Sequence, residues 1–473
     1  MPYAQSPTRV LPRSSFAALA PILLVTAVAT AQTPPATRLT AALDSAARWH
    51  LATARLAGLS VMVVRGQDTL LAGSYGMADL DHQVPVGPAT VFALGSTTKQ
   101  FTAAAVHQLA EQGRLDLDAD VRTYLPELDT KGRSIPVWRL LDHTSGLAEY
   151  TALPAFGSLS ALSLPRDTII RLISAEPIRF EPGTEMIYNN SGFFLAALIV
   201  ARVSGQSFES YLADRIFGPL GMADSRYCDE RALIPHRARG YQQGRDGGFL
   251  NAGSINHTWP YGAGSICGST RDLVRWNLAL HGGRVLGPAA YRRFITPRPL
   301  VDGSAIRYAS GLAVHEAHGR RTIEHGGAIT GFYSMTYFYP DRATVISVAQ
   351  NSQGLPPAAL ADSLATLVLG PPTDGGTAQP ADLNGLAGRF EGRRRGGTLT
   401  ATVAISDGRL RIRLGSDSTD ITPVFRGDDT WVSGSRRFRF VRTGRTASEL
   451  RVDLLWRRGD IYSHLRLRRQ STQ

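Results

Sequence analysis

The stretch FALGSTTKQFTAAAVHQLAEQG, residues 92–113, carries the strongest structural and chemical signal in the chain. The run after Gly95 is rich in Ala and ends at Gly113, which predicts a helix. Ser96 and Lys99 begin this run three residues apart, and positions i and i+3 share one face of a helix. We therefore expect the hydroxyl and the amine to meet in the first turn, where the helix N-terminus also favours developing negative charge.

Lys99 is one of only two lysines among the 51 basic residues of the 473-residue chain, and the other is Lys131. Arg and Lys both supply charge, but only Lys loses its proton at accessible cost and can then act as a base. Ser96 needs such a base, because a serine hydroxyl is a weak nucleophile at its ordinary pKa. The pair is a candidate for nucleophilic catalysis; taken alone, it also fits an N-capping Ser followed by a solvated Lys.

Two further motifs extend this pattern along the chain. Tyr188-Asn189-Asn190 lies in FEPGTEMIYNNSGFF, and His325-Gly326-Gly327 follows the strand-like RRTIE. Together with Ser96-Thr97-Thr98-Lys99, these motifs resemble the serine β-lactamase and penicillin-binding-protein superfamily, in its class C-like and D-aminopeptidase-like branch. The resemblance covers roughly residues 38–370, with lesser matches in LLDHTSGL (140–147), GPLGM (218–222) and GAGSICGSTRDL (262–273).

The resemblance implies a serine hydrolase that forms an acyl-enzyme on Ser96. Two bases remain open: a neutral Lys99 takes the Ser96 proton, or a charged Lys99 lowers the pKa of Tyr188 so that its phenolate does so. Asn190 would hold either the substrate amide or the Lys99 amine. The backbone N–H groups of Ser96 and Ala328 would form the oxyanion hole. The rest of the implied binding set is His325 and Gly327.

His325 departs from the Lys-Thr-Gly sequence that β-lactamases usually carry in the third motif. A permanent cation there pairs with the carboxylate of penicillins or of peptides ending in D-Ala, whereas His is mostly neutral near pH 7. The departure favours esters, or peptides and amides of D-amino acids with a free amine. β-Lactamase and D-Ala-D-Ala carboxypeptidase activity remain alternatives. A non-turnover penicillin-binding-like sensor, or an envelope-binding protein, is the alternative of another class.

Strand and helix signals predict the order of elements. An early hairpin and a group of late strands bracket a helical, loop-rich region, which most simply gives one antiparallel sheet with helices on both faces. With the resemblance, this implies an α+β fold of the β-lactamase/transpeptidase type with a large helical insert. The predicted elements are a helix over 37–56, strands over 59–64, 69–75, 305–314, 320–324, 332–338 and 344–348, and a closing helix over 356–369.

The sequence beyond residue 380 predicts a second, all-β domain that forms a sandwich or a barrel. Residues 409–414 alternate Arg with Leu or Ile, so apolar side chains lie on one face and guanidinium groups on the other. The Arg face either is solvated or binds an anionic polymer of the cell envelope. The predicted divisions are a signal peptide over 1–31, a hydrolase domain over 32–370, a linker over 371–380 and the β domain over 381–473.

The net charge of +12 comes almost entirely from the two ends of the chain. Residues 381–473 hold 19 Arg against 10 acids and residues 1–31 hold two Arg and no acid, so 30 bases and 29 acids remain for 32–380. We therefore expect no nucleic-acid partner. Two Arg, an apolar run and Ala29-Thr30-Ala31 predict an export signal cleaved after Ala31. We expect a periplasmic or secreted protein with no membrane span.

The histidine pair and the two cysteines of the sequence predict no metal site and at most one disulfide. His315 and His318 are expected in a solvated turn between two strands rather than in a metal site, because no third ligand is in pattern. We expect no metal and no organic cofactor, and a small ester, amide or peptide as substrate. Cys228 and Cys267 could form one disulfide in an oxidising compartment, and the sequence leaves this open.

Overall fold

The computed structural model describes residues 35–317, 319–371, 377–380, 382–383, 385–415, 417, 419–434, 436–455 and 462–470. The predicted signal peptide, residues 372–376 of the predicted linker and His318 lie outside the described residues.

The helices and strands lie in the following order along the chain. The helices are α1 Pro35–Thr53, α2 Lys99–Glu111, α3 Trp138–Leu141, α4 Pro154–Leu159, α5 Arg166–Ala175, α6 Asn190–Ser204, α7 Phe208–Leu212, α8 Thr270–His281, α9 Pro288–Ile295 and α10 Ala358–Leu369. Strands before residue 370 are β1 Gly58–Arg65, β2 Asp68–Asp79, β3 Val84–Pro85, β4 Phe92–Ala93, β5 Met186–Ile187, β6 Arg226–Tyr227, β7 Tyr241–Gln243, β8 Phe249–Asn251, β9 Ile266–Gly268, β10 Ala313–Ala317, β11 Arg320–Ile329, β12 Phe332–Tyr339 and β13 Thr344–Gln350. Later strands are β14 Gly388–Arg394, β15 Gly397–Ser406, β16 Arg409–Leu414, β17 Val424–Gly427, β18 Thr430–Ser433, β19 Arg436–Thr443, β20 Thr446–Leu454 and β21 Ser463–Arg469.

The central sheet joins the early hairpin to the late strands, in the order β10-β11-β12-β13-β1-β2-β3. β1 pairs antiparallel with β13, with Leu59 opposite Gln350, so strands from before and after the helical insert meet in one sheet. Leu43 of α1 and Leu360 of α10 pack in one core cluster with strand residues. The insert helices form a second and larger cluster that includes Phe101 and Phe193. The predicted α+β architecture is confirmed.

Two local predictions before β11 are wrong. The segment predicted as a strand over 305–314 is mostly irregular, because Ile306 and Tyr308 turn into a small core cluster and Gly311 adopts a φ of +71°. His315 lies in β10 rather than in a solvated turn, and its buried ring is 3.5 Å from the Glu324 carboxylate. The strand therefore begins at Ala313 rather than at residue 305, because the apolar residues before it pack into the core cluster.

The strands beyond residue 380 form a single antiparallel sheet in the order β16-β15-β14-β21-β20-β19-β18-β17. Leu410, Ile412 and Leu414 are buried while the arginines between them are not, as the alternation predicts. This sheet contacts the earlier part of the chain, because β21 also pairs with β5 through Ser463 and Ile187. Arg395 and Arg451 form ion pairs with Glu149 and Asp302 of the earlier part of the chain; an envelope contact stays a prediction.

Cys228 and Cys267 are joined in a disulfide that spans 39 residues of sequence, and their Cα atoms are 5.3 Å apart. The open question of their pairing is thus answered in the structure, since β6 and β9 lie side by side and bring the two together. No single helix among the described residues combines the length and hydropathy of a membrane-crossing helix. Residues 190–204 and 208–217 reach those values only as a pair bent by 80°.

Candidate active site

The predicted nucleophile lies at the start of α2, in a short 3₁₀ turn over Gly95–Thr98. The turn is preceded by β4 and stands against the end of β11. Gly95 has a φ of +53°, and a β-carbon there would lie 2.8 Å from the carbonyl carbon of Ala328. Only glycine permits this approach, which brings the Ser96 backbone next to that of Ala328. Sequence reasoning predicted a helix from this point, and the α-helical hydrogen bonding begins at Lys99.

Lys99 is fully buried, and its amine contacts three oxygen atoms. Nζ lies 2.8 Å from Asn190 Oδ1, 2.8 Å from the Ala263 carbonyl oxygen and 3.1 Å from Ser96 Oγ. Burial lowers the pKa of Lys99 well below its ordinary value. A neutral amine has two N–H donors and one lone pair. In that form the Asn190 and Ala263 oxygens accept both donors, which leaves the lone pair for the Ser96 hydroxyl; in the ammonium form Nζ donates to all three oxygens.

Tyr188 lies beside the same amine, with Lys99 Nζ 4.8 Å from the centre of its ring. Its hydroxyl is a hydrogen-bonding neighbour of Ser96, and burial raises the Tyr188 pKa far above its ordinary value. The shift favours the protonated phenol over the phenolate. The ring packs 4.3 Å from that of His143, in the segment LLDHTSGL.

Asn190 connects the amine to a carboxylate that sequence reasoning missed. Its side-chain N–H donates to Glu149 Oε1 at 3.2 Å and its backbone N–H donates to Glu149 Oε2. The amide oxygen is thereby aimed at Lys99. Of the two roles left open for Asn190, this geometry supplies the contact with the lysine head. Glu149 follows the LLDHTSGL segment by two residues, and that proximity was the one signal that could have identified it.

The third motif contributes its backbone to the site, and the His325 ring lies in a buried aromatic cluster with Tyr188, Tyr308 and Tyr462. Its Nε2 is 2.7 Å from the Tyr308 hydroxyl, and its Nδ1 is 2.6 Å from the carbonyl oxygen of Gly326. Burial lowers the His325 pKa to about 3, so the ring is neutral. Both ring nitrogens are occupied by protein groups, and a contact between His325 and substrate stays a prediction. The Gly326 N–H donates to the Tyr462 hydroxyl at 2.9 Å.

The geometry brings together Ser96, Lys99, Tyr188 and Asn190, with the end of β11 beside them. The Beta-lactamase family profile matches residues 43–370. The chain belongs to the beta-lactamase family.

Proteins of similar sequence and of similar structure match more than two thirds of this chain. A D-aminopeptidase from Gluconobacter oxydans (strain 621H) is 30% identical over 332 residues, 69% of this chain and 62% of its own length. The chain thus spans less than two thirds of that relative. The structure of a D-amino acid amidase from Ochrobactrum anthropi SV3 has a TM-score of 0.62 and 26% identity, covering 70% of this chain and 99% of that one.

A second similar structure, the octameric penicillin-binding protein homologue from Pyrococcus abyssi, covers 90% of this chain and 98% of its own. Its TM-score is 0.61 and its sequence identity is 22%, so the likeness concerns the fold alone. The coverage extends beyond the 43–370 match of the family and therefore into the later all-β sheet.

Gly327 of this beta-lactamase-family site lies where no side chain fits. A β-carbon there would be 1.9 Å from the Leu94 carbonyl oxygen and 2.6 Å from Ser334 Oγ. The absence of a side chain lets β11 lie directly against the Ser96 turn. Gly327 and Ala328 thus lie against the Ser96 turn, and their roles in the oxyanion hole and in substrate binding stay predictions.

Replacing Gly327 with Ala is expected to separate β11 from the Ser96 turn. We expect a loss of about 3 kcal/mol in the free energy of unfolding, as for overpacked cores, and about a tenfold slower acylation of Ser96. Thermal unfolding and labelling kinetics measure the two effects. Gly157→Ala is the matched control, because a β-carbon at Gly157 meets no atom within 4 Å. Equal behaviour of the two variants would contradict the assigned packing.

Proposed function

We propose that this protein is an exported serine hydrolase that forms an acyl-enzyme on Ser96 and cleaves amides or peptides of D-amino acids. The observation that carries the proposal is the position of the buried Lys99 amine, whose Nζ lies 3.1 Å from Ser96 Oγ, within reach for proton transfer. In the neutral form of Lys99, with both N–H donors on the Asn190 and Ala263 oxygens, the lone pair is available to the Ser96 hydroxyl. A solvated, N-capping arrangement of the same two residues is incompatible with a fully buried Lys99.

Acylation begins when Lys99 takes the Ser96 proton and Oγ attacks the carbonyl carbon of the substrate. A C–O bond forms, and the oxyanion accepts hydrogen bonds from the N–H groups of Ser96 and Ala328. The C–N bond then breaks as the Tyr188 hydroxyl donates its proton to the leaving nitrogen. The Lys99 ammonium returns a proton to Tyr188, so the amine product leaves with both catalytic groups in their starting state.

Deacylation repeats these proton transfers with water. Lys99 takes a proton from a water molecule, whose oxygen attacks the acyl carbon. The bond to Ser96 Oγ breaks, and Lys99 returns the proton to that oxygen. The net reaction consumes one water and releases the acid and the amine. The raised pKa of Tyr188 supports the assignment of Lys99, rather than a phenolate, as the base.

The substrate class is supported by the relatives and by the third motif. The D-aminopeptidase and the D-amino acid amidase described above are named for D-amino acid substrates. His325 is neutral, so the third motif of this chain supplies no cation for the carboxylate of a penicillin or a D-Ala terminus. Esters of the same acyl groups are expected to serve as faster donors, because their leaving groups need less assistance.

Export is supported by two independent features. The predicted signal peptide ends near Ala31, and the Cys228–Cys267 disulfide is of the kind that persists in oxidising compartments. A periplasmic or secreted location follows from the proposal. Fractionation of cells that express the full chain, with the N-terminus of the mature protein sequenced, tests it.

The enzymatic proposal is tested with a fluorophosphonate probe and a panel of substrates. We expect the probe to label the wild-type protein and not Ser96→Ala. We also expect cleavage of the D-Ala anilide in preference to the L-Ala anilide, rapid cleavage of a short-chain nitrophenyl ester, and little turnover of nitrocefin.

Each alternative gives a different result in the same experiment. Equal labelling of wild type and Ser96→Ala, or none, overturns the serine-hydrolase proposal. Nitrocefin turnover that exceeds D-anilide turnover identifies a β-lactamase instead. A stable adduct on Ser96 with no release of product identifies a sensor.

A further inference from the structure

The turn between β14 and β15 carries a cation from the C-terminal sheet into the active site. Arg395 stands in this turn, with 28% of its side chain exposed. Its guanidinium donates to Thr151 Oγ1, lies 3.6 Å from Glu149 Oε1 and is 5.8 Å from the centre of the Tyr188 ring. A cation supplied by residues beyond 380 is therefore part of the surroundings of Ser96.

The carboxylate that Arg395 approaches is itself buried, with 8% of the Glu149 side chain exposed. Glu149 accepts hydrogen bonds from the side-chain and backbone N–H groups of Asn190. Asn190 Oδ1 in turn accepts from Lys99 Nζ at 2.8 Å. An unbroken series of contacts thus runs from Arg395 through Glu149 and Asn190 to the lysine amine.

The charges of Glu149 and Arg395 have opposite effects on the protonation of the Lys99 amine. A buried carboxylate near an amine favours the ammonium form, which cannot accept the Ser96 proton. A cation beside that carboxylate cancels the effect. The Glu149 charge raises the Lys99 pKa and the Arg395 charge lowers it. The titratable or charged groups that face Lys99 from the packed elements are Glu149, Arg395, Tyr188, His143 and His325.

Of these groups, the two histidines and the tyrosine carry no charge at neutral pH. Burial lowers the pKa of His143 well below its ordinary value and that of His325 to about 3, and it raises that of Tyr188. Glu149 and Arg395 therefore remain as the opposing charges around the base. Burial has the largest effect on the Lys99 pKa and lowers it, and the balance of these two charges adjusts it further.

We propose that Arg395 is a positioning residue of the acyl-transfer site, which neutralises Glu149 so that Lys99 acts as an uncharged base. The inference rests on the proposed function, since it concerns the same acylation of Ser96. It makes the C-terminal domain a part of the catalytic unit. Backbone pairing of β14 with β15 and with β21 holds this hairpin in place without the side chain of Arg395 or that of Arg393.

The test measures the rate of Ser96 labelling by the fluorophosphonate probe between pH 5 and pH 10 in the full chain. Arg395→Met leaves the Glu149 charge uncompensated, so the acidic limb of the profile is expected to move up by about one pH unit, with about tenfold slower labelling on that limb. Arg395→Lys is expected to keep the limb near its wild-type position. Arg395→Met combined with Glu149→Gln removes both charges and is expected to restore it.

Arg393→Met is the matched control, because it removes a cation from the same hairpin whose partner is Glu185. A profile of Arg395→Met that coincides with that of Arg393→Met overturns the inference, as does a double variant that labels no faster than Arg395→Met. Thermal unfolding identifies loss of fold, and Arg395→Lys and the double variant carry the test if Arg395→Met unfolds. Absence of labelling in the wild type overturns the proposed function itself, whereas a labelled wild type with an unmoved limb overturns only the role of Arg395.

Discussion

Replacing Lys99 with Arg is expected to slow the acylation of Ser96 by about 10³-fold, nearly as much as replacing it with Ala. A guanidinium keeps the positive charge but does not lose its proton in a protein, so it cannot accept one from Ser96. The structure makes this substitution informative because burial already drives Lys99 toward its neutral form. The rate of labelling by the fluorophosphonate probe, and kcat/KM on the nitrophenyl ester, are the measurements.

Lys131 offers an internal control, since it is the other lysine of the sequence. It forms an ion pair with Asp129 at 2.6 Å in an exposed turn. Lys131→Arg is therefore expected to leave both rates unchanged. If Lys99→Arg is folded and retains a large part of the wild-type rate, Tyr188 rather than Lys99 is the base.

Replacing Tyr188 with Phe is expected to slow the hydrolysis of the D-Ala anilide by about 10²-fold or more. The leaving nitrogen of an amide needs a proton before the C–N bond breaks, and Tyr188 is the protonated group next to Ser96. Nitrophenolate leaves without a proton, so the nitrophenyl ester should lose much less. The ratio of the two kcat values is the measurement.

Tyr75→Phe is the matched control for the loss of a buried tyrosine hydroxyl. That hydroxyl donates to Asp44 at 2.8 Å, and Tyr75 packs in the core cluster on the α1 side of the sheet. We expect both substrates to be cleaved at the wild-type rate by this variant. An equal loss on anilide and ester in Tyr188→Phe would show that the hydroxyl serves the attack rather than the departure of the leaving group.

Local spacing explains what could be predicted from the sequence. Ser96 and Lys99 meet because one turn of helix separates them, and the apolar strands of the early hairpin pair with β13 because that pairing buries them. The motif residues Tyr188 and Asn190 were found through resemblance.

Tertiary placement explains what could not be predicted. Glu149 is a single acid in an irregular segment, and its burial against Asn190 depends on how that segment folds back. Arg395 is one of 19 arginines after residue 380, and nothing in the alternation distinguishes it from those that face solvent. The His325 motif was recognised, but the orientation of its ring depends on Tyr308, which lies in a segment wrongly predicted to be a strand.

The pairing of β5 with β21 has a consequence for fragments of this chain. Ile187, the residue before Tyr188, has Ser463 of β21 as its antiparallel partner. A fragment that stops at residue 370 would leave β5 without this partner and would also lack Arg395. We therefore expect residues 32–370 expressed alone to form an incomplete site around Ser96, so any assay of this protein needs the later sheet to be present.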